Sequence, residues 1–136
     1  MSDRVKDATV TLKVPFHDCD PLFVVWHGRY LEYFELARTA LFRSVALDVP
    51  DIMRLGLRMY VTDARCRYMH PLAYGEVVRV RAAFTATSPL IRVAYEVTNV
   101  TRGRRSARGY TTMATTDGGG ALLPETPDAI LERLPR

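Results

Sequence analysis

The chain has 136 residues, of which 48% are hydrophobic and 25% charged, with a net charge of +4. That length fits a single domain, 1–136, able to bury a core of its own, and no apolar run approaches the roughly 20 residues a membrane-spanning helix needs. The mild positive balance suits an anionic small molecule or an acidic carrier protein, and its arginines are too few and too short of interleaved aromatics for a nucleic-acid surface.

Residues 8–16, ATVTLKVPF, alternate apolar and polar and predict a strand that Pro15 ends. Residues 28–47 form the longest helical pattern. Glu32, Glu35, Thr39 and Arg43 make one polar stripe, and Tyr30, Tyr33, Phe34, Ala37, Ala40, Leu41 and Val45 fill much of the remaining surface. No Ser, Thr, Asp or Asn directly precedes Gly28, so the helix start is poorly marked. Residues 48–56 read as a connection with room for a short turn of helix, since Val49-Pro50-Asp51 breaks the preceding pattern. Strands follow at 59–70, 76–87, 91–98 and 106–116. Ile91, Val93, Tyr95 and Val97 form the cleanest period-two run. Residues 124–134 predict a short terminal helix with Thr126 as N-cap and Pro127 in its first position. The order is strand, long helix, four strands. Short turns between the later strands predict antiparallel pairing, and one curved sheet could wrap one helix of similar length. The fold class is therefore α+β.

The charged opening, MSDRVKDATV, has no apolar secretion core, and Cys19 and Cys66 are the only cysteines. A cytoplasmic protein with free thiols is expected.

Most of the polar chemistry falls in one stretch, FHDCDPLFVVWHGRY, residues 16–30. Asp18 and Asp20 precede the apolar run Leu22–Trp26, and His27 and Gly28 follow at the expected helix start. A carboxylate beside an apolar wall, with free N–H groups of a helix N-terminus close by, suits acyl transfer. The carboxylate attacks or activates water while backbone amides hold the developing oxyanion. His27 could orient the acyl group or water, or act in acid–base steps. Other readings of the same residues stay open. The aspartates could cap the loop by Asx turns, and His27 could be structural. His17, Asp18, Asp20 and His27 could hold a metal, although their spacing matches no familiar metal set. Cys19 could be a nucleophile if a partner activated it, and packing explains it more simply.

Asp18-Cys19-Asp20-Pro21, Val24-Val25-Trp26-His27, Tyr30-Leu31 and Glu35-Leu36-Ala37-Arg38 together resemble the 4-hydroxybenzoyl-CoA thioesterase family of hotdog-fold proteins. The acyl-CoA thioesterases associated with the Tol–Pal system share that pattern. Tyr68-Met69-His70-Pro71 through Gly75-Glu76 is similar to a second family segment, and the likeness spans roughly residues 10–116. The resemblance implies a hotdog fold, with a curved antiparallel sheet of about five strands around one long helix. It implies hydrolysis of an acyl or aryl thioester of coenzyme A or acyl carrier protein, with no cofactor and no metal. Asp20 matches the catalytic carboxylate, and His27 brings the backbone N–H that polarises the thioester carbonyl. Asp18 is expected to shape the loop, and Glu35 and Arg38 to serve packing or an interface. Phe23, Val25, Trp26 and Tyr30 are the candidate substrate-binding residues, with core packing the stronger reading of Tyr30. A homodimer or homotetramer is implied as well. Arg102, Arg104, Arg105 and Arg108 form either a solvated hairpin tip or a contact for coenzyme A phosphates or an acidic carrier. One departure stands out: Phe23 occupies a position usually held by Gly. A side chain there makes positive φ expensive, so the loop is expected to differ, or Phe23 to narrow or redirect the acyl pocket. A noncatalytic acyl-binding protein on the same fold is the alternative reading. A hotdog dehydratase would need an Asp/Asn-His motif placed elsewhere, and none is found.

Overall fold

The computed structural model describes residues 7–135; the charged opening, residues 1–6, lies outside the described residues. The elements in chain order are β1 (Asp7–Lys13), α1 (Arg29–Ser44), α2 (Val49–Arg54), β2 (Leu57–Tyr68), β3 (Val77–Ala86), β4 (Ile91–Asn99), β5 (Arg104–Asp117) and α3 (Asp128–Leu131). All strand pairs are antiparallel, in the order β1-β3-β4-β5-β2. This is the expected five-stranded sheet with a single principal helix.

β4 shows how the pattern becomes a core. Ile91, Val93, Tyr95 and Val97 are all buried, and the residues between them are more exposed. Because successive side chains point to opposite faces, one face of the sheet is apolar and lies under α1. The helix turns Tyr30, Tyr33, Phe34, Ala37 and Leu41 onto that face at steps of three and four. The Phe34 ring stacks on Tyr95 with centroids 4.4 Å apart and planes 4° from parallel. Gly109 of β5 makes this approach possible, because a Cβ there would run into the Arg65 carbonyl and the Phe34 ring.

One local expectation needs correction and one is made definite. The short turn of helix allowed for in 48–56 forms as α2, and Val49-Pro50-Asp51 begins it. Asp48 and Asp51 form a reciprocal capping box, and Pro50 sits in the first turn, where its missing N–H is not needed. Thr126 does not cap α3. Its hydroxyl donates to the carbonyls of Thr87 and Pro89, and Pro127 precedes the helix instead. β3, β4 and β5 are consecutive hairpin partners, whereas β2 crosses to pair with β5 at the far edge. Most residues of β2 are exposed on both faces.

Candidate functional site

The stretch between β1 and α1 folds into a small hairpin. Cys19 and Val25 form an antiparallel bridge, and the Trp26 N–H donates to the Asp18 carbonyl at 2.9 Å. Asp20 to Phe23 makes the turn, closed by the Phe23 N–H on the Asp20 carbonyl, with Pro21 in the position where its fixed φ is favoured. Phe23 then has φ 66°, the left-handed conformation that ends such a loop. The loop thus keeps the backbone that a glycine would give, with the side chain strained into it. This overturns the expectation that Phe23 changes the loop. Its ring is 74% exposed.

The two aspartates have separate roles. Asp18 is buried, and its Oδ2 accepts the Tyr33 hydroxyl at 2.7 Å, while Arg29 Nε lies 3.6 Å from its Oδ1. Burial, then the adjacent Asp18 carboxylate, push the Tyr33 hydroxyl far above the ordinary tyrosine range, so it remains a donor. Asp18 therefore ties the hairpin to α1, as expected of a residue that shapes the loop. Asp20 is only half-buried. Its Oδ1 accepts the Leu22 N–H at 2.8 Å, which fixes the carboxylate in an Asx turn. Its Oδ2 has no partner among the described residues.

α1 begins without a side-chain cap: Gly28 is the N-cap, in helical conformation. A Cβ there would run into the Trp26 indole, so a side chain at this position displaces that ring. The backbone N–H groups of His27 and Gly28 are unpartnered among the described residues. The His27 imidazole is exposed, with the Trp26 ring 5.1 Å away on one side and the edge-on Tyr68 ring 6.2 Å away on another. The Tyr68 hydroxyl donates to the His27 carbonyl at 2.7 Å. Burial and the nearby Cys66 push that hydroxyl up to about 12. Tyr68 was legible only as part of a motif, and its hold on the helix start is a tertiary contact across 41 residues.

Val25 and Tyr30 belong to the core, the stronger of the two readings for Tyr30. Val25 is buried with its N–H on the Leu72 carbonyl, and Tyr30 is buried with its hydroxyl 3.2 Å from Ser106 Oγ. They form the wall behind the site. Leu22, Phe23 and Trp26 remain exposed beside Asp20, a cluster of apolar surface of the kind that receives a ligand or a partner.

A second clamp seats the hairpin from below. Val24 bridges to Ala73, and the 73–76 turn is held by the buried Glu76. Glu76 Oε1 accepts the Ala73 N–H at 2.6 Å and Asn99 Nδ2 at 3.1 Å; Oε2 accepts Arg102 Nε at 2.8 Å. Burial alone would raise the Glu76 carboxyl, and these bonds, that of Arg102 first, together hold it below the ordinary carboxylate range. Arg102 thus has a structural anchor and is not part of a free hairpin tip.

The remaining candidates fall away from the chemistry. Cys19 and Cys66 are free thiols. Burial first, then Asp18 and Asp20, push the Cys19 thiol up, the opposite of nucleophilic activation. Among the described residues no three His, Cys, Asp or Glu side chains gather to hold a metal. A hollow of about 260 Å³ lies farther along α1, between Phe42, Leu47, Ile52, Met59 and Met113, with Glu35 and Arg38 also in its lining. Asp20 and His27 are not part of it.

Residues 14–134 match the family described as the thioesterase-like superfamily. The Synechocystis protein sll0410 is 25% identical over 128 residues, 92% of this chain and 76% of that protein. Relatives from Aquifex aeolicus and Bacillus subtilis are matched over only 53% and 50% of their length. Among solved structures, the Aquifex aeolicus protein AQ1494 superposes with a TM-score of 0.84 at 26% identity, covering 93% of this chain and 98% of that one. A 4-hydroxybenzoyl-CoA thioesterase mutant in complex with 4-hydroxybenzoyl-CoA shares the fold, with a TM-score of 0.84 at 16% identity over 96% of this chain and all of that one.

Proposed function

The chain belongs to the thioesterase-like superfamily of hotdog-fold proteins, and from that premise we propose that it hydrolyses an acyl or aryl thioester of coenzyme A or acyl carrier protein to the free acid and thiol. The observation that carries this reading is the pairing at the hairpin. Asp20 holds one carboxylate oxygen fixed and the other free, at the tip of a loop whose return strand leads into the unpartnered N–H groups of His27 and Gly28.

The thioester carbonyl oxygen accepts from those N–H groups, the His27 N–H above all. They carry partial positive charge at the start of α1 and meet the negative charge that grows on the oxygen as the carbonyl carbon becomes tetrahedral. Asp20 Oδ2 then acts in one of two ways. It attacks the carbonyl carbon, expelling thiolate and leaving a mixed anhydride that water cleaves. Alternatively it takes a proton from the water that attacks. Both end in carboxylic acid and thiol. Single-turnover hydrolysis in ¹⁸O-water, with the label sought in Asp20, separates them. Trp26 and Phe23 supply apolar surface beside the carboxylate, and the exposed His27 ring orients the acyl group or water.

Two features support a site completed by a second copy of the chain. β2 is an exposed edge strand of twelve residues, which favours pairing. The apolar hollow along α1 is also separate from Asp20 within one chain. A homodimer or homotetramer is the assembly proposed. Phe23 adopts the left-handed backbone, so the feature that favoured a noncatalytic binding protein leaves the loop undistorted. The test is thiol release from short, medium, long and aromatic acyl-CoAs and the matching acyl carrier proteins. Release from at least one of them is expected. No release from any would sink the proposal.

A further inference from the structure

On β5, Ala107 is buried and Gly109 faces α1, so Arg108 between them faces outward, away from the helix. Its register partner on β2 is Arg67, and two residues along β2 Arg65 pairs with Tyr110. Like charges directly opposite on one sheet face destabilise it. The nearest carboxylate in register is Glu96 of β4, opposite Arg108, and it is bonded to Arg105 at 3.2 Å. Arg92 lies over the Tyr110 ring at 4.2 Å. Asp63 lies beyond Arg65 on the same strand and makes no ion pair with it. Arg65, Arg67 and Arg108 are thus exposed and without an ion-pair partner among the described residues. They edge a shallow open hollow of about 650 Å³ on this face.

Resting on the thioesterase reading, we propose that this outer face docks an acidic helical carrier protein that presents the thioester. Two observations choose that occupant. The first is spacing. Arg67 and Arg108 are about 5 Å apart across the strands, and Arg65 lies about 7 Å from Arg67 along its strand. The first step matches carboxylates three or four residues apart on a helix, which lie about 5–6 Å from one another, and the length of the arginine side chains spans the second. The basic strip from the Arg65 level to Arg105 runs about 16 Å, close to three helical turns. The second is position. Arg67 is followed directly by Tyr68, the last residue of β2, which turns to the opposite face, where its hydroxyl is bonded to the His27 carbonyl. A carrier seated here lies across β2 from the candidate site, and its thioester-bearing arm reaches the site past the end of that strand.

The test compares octanoyl-CoA with an acyl carrier protein bearing an octanoyl group on its phosphopantetheine arm. The wild type is set against an Arg65→Gln/Arg67→Gln/Arg108→Gln variant whose melting temperature is checked first. KM for the carrier-bound thioester should rise roughly 10- to 100-fold with kcat unchanged, because lost surface charges weaken encounter and not chemistry. Kinetics on octanoyl-CoA should stay within about twofold. Binding of the unacylated carrier, measured separately, should weaken in parallel and with added salt. Equal losses on both substrates would assign the arginines to the coenzyme's phosphates and overturn the proposal. So would an unchanged KM for the carrier, or a changed assembly state, which would make the face a contact between copies. A wild type that cleaves octanoyl-CoA but does not bind the carrier defeats the docking surface alone. One that binds the carrier through these arginines and cleaves neither substrate defeats the thioesterase reading alone.

Discussion

The Tyr33 hydroxyl donates to the Asp18 carboxylate at 2.7 Å, and this bond joins the first turns of α1 to the hairpin that carries Asp20. Asp18 is buried, and Arg29 is too far, at 3.6 Å, to replace a direct bond. Tyr33→Phe should destabilise the fold by about 2 kcal/mol, since a buried carboxylate loses its donor. Urea denaturation of the variant measures it. A midpoint equal to wild type would remove the bond from the list of contacts that hold the site.

Phe23 stands at φ 66°. The left-handed conformation costs a residue with a side chain roughly 1–2 kcal/mol. Glycine removes that strain but adds about 0.4–1 kcal/mol of unfolded-state entropy. Phe23→Gly is therefore expected to stabilise the protein slightly, by about 0.5–1 kcal/mol. It should also change which acyl-chain lengths are cleaved, because an exposed aromatic beside Asp20 is lost. An unaltered chain-length profile would mean that Phe23 does not touch the acyl group.

The Glu76 clamp makes stability depend on pH. The folded carboxyl titrates below the ordinary value near 4.3, so on acidification the unfolded chain takes up its proton first. The stabilisation is complete above that ordinary value and is lost as pH falls through the lower folded one. Wild type should lose more stability between pH 7 and pH 3.5 than Glu76→Gln does. Parallel stability curves for the two would show that the clamp does not contribute in this window.

Gly28 is pressed against the Trp26 indole, and Trp26 is the only tryptophan in the chain. Gly28→Ala must displace the ring, so a shift in emission wavelength reports the clash directly. Turnover should fall roughly tenfold or more, since a displacement of about 1 Å at a catalytic amide is costly. Unchanged emission and turnover would show that the helix start accommodates a side chain.

Much of this fold could be read from periodicity. β4 alternates cleanly because one face is buried under α1 and the other is not. The site was legible for a local reason: Asp18, Asp20 and His27 fall within ten residues of one another. What escaped is non-local or looks like something else. Pro50 reads as a breaker until Asp48 and Asp51 are seen to cap each other's backbone around it. Thr126 reads as a cap, yet its hydroxyl is drawn to Thr87 and Pro89. Nothing local shows that β2 pairs with β5 and not with β3, or that Tyr68 reaches back to His27. Val25 looks like a pocket residue in sequence because apolar character does not say which face of a wall a side chain occupies.

The most direct measurement is kcat of Asp20→Asn on the best thioester substrate, with melting temperature determined alongside. Asn keeps the shape and the bond to the Leu22 N–H but neither attacks nor takes a proton. A fall of roughly 10²- to 10⁴-fold with an unchanged melting temperature is expected. Wild-type turnover in that variant would contradict the role given to Asp20 and, with it, the reading of the hairpin as the catalytic loop.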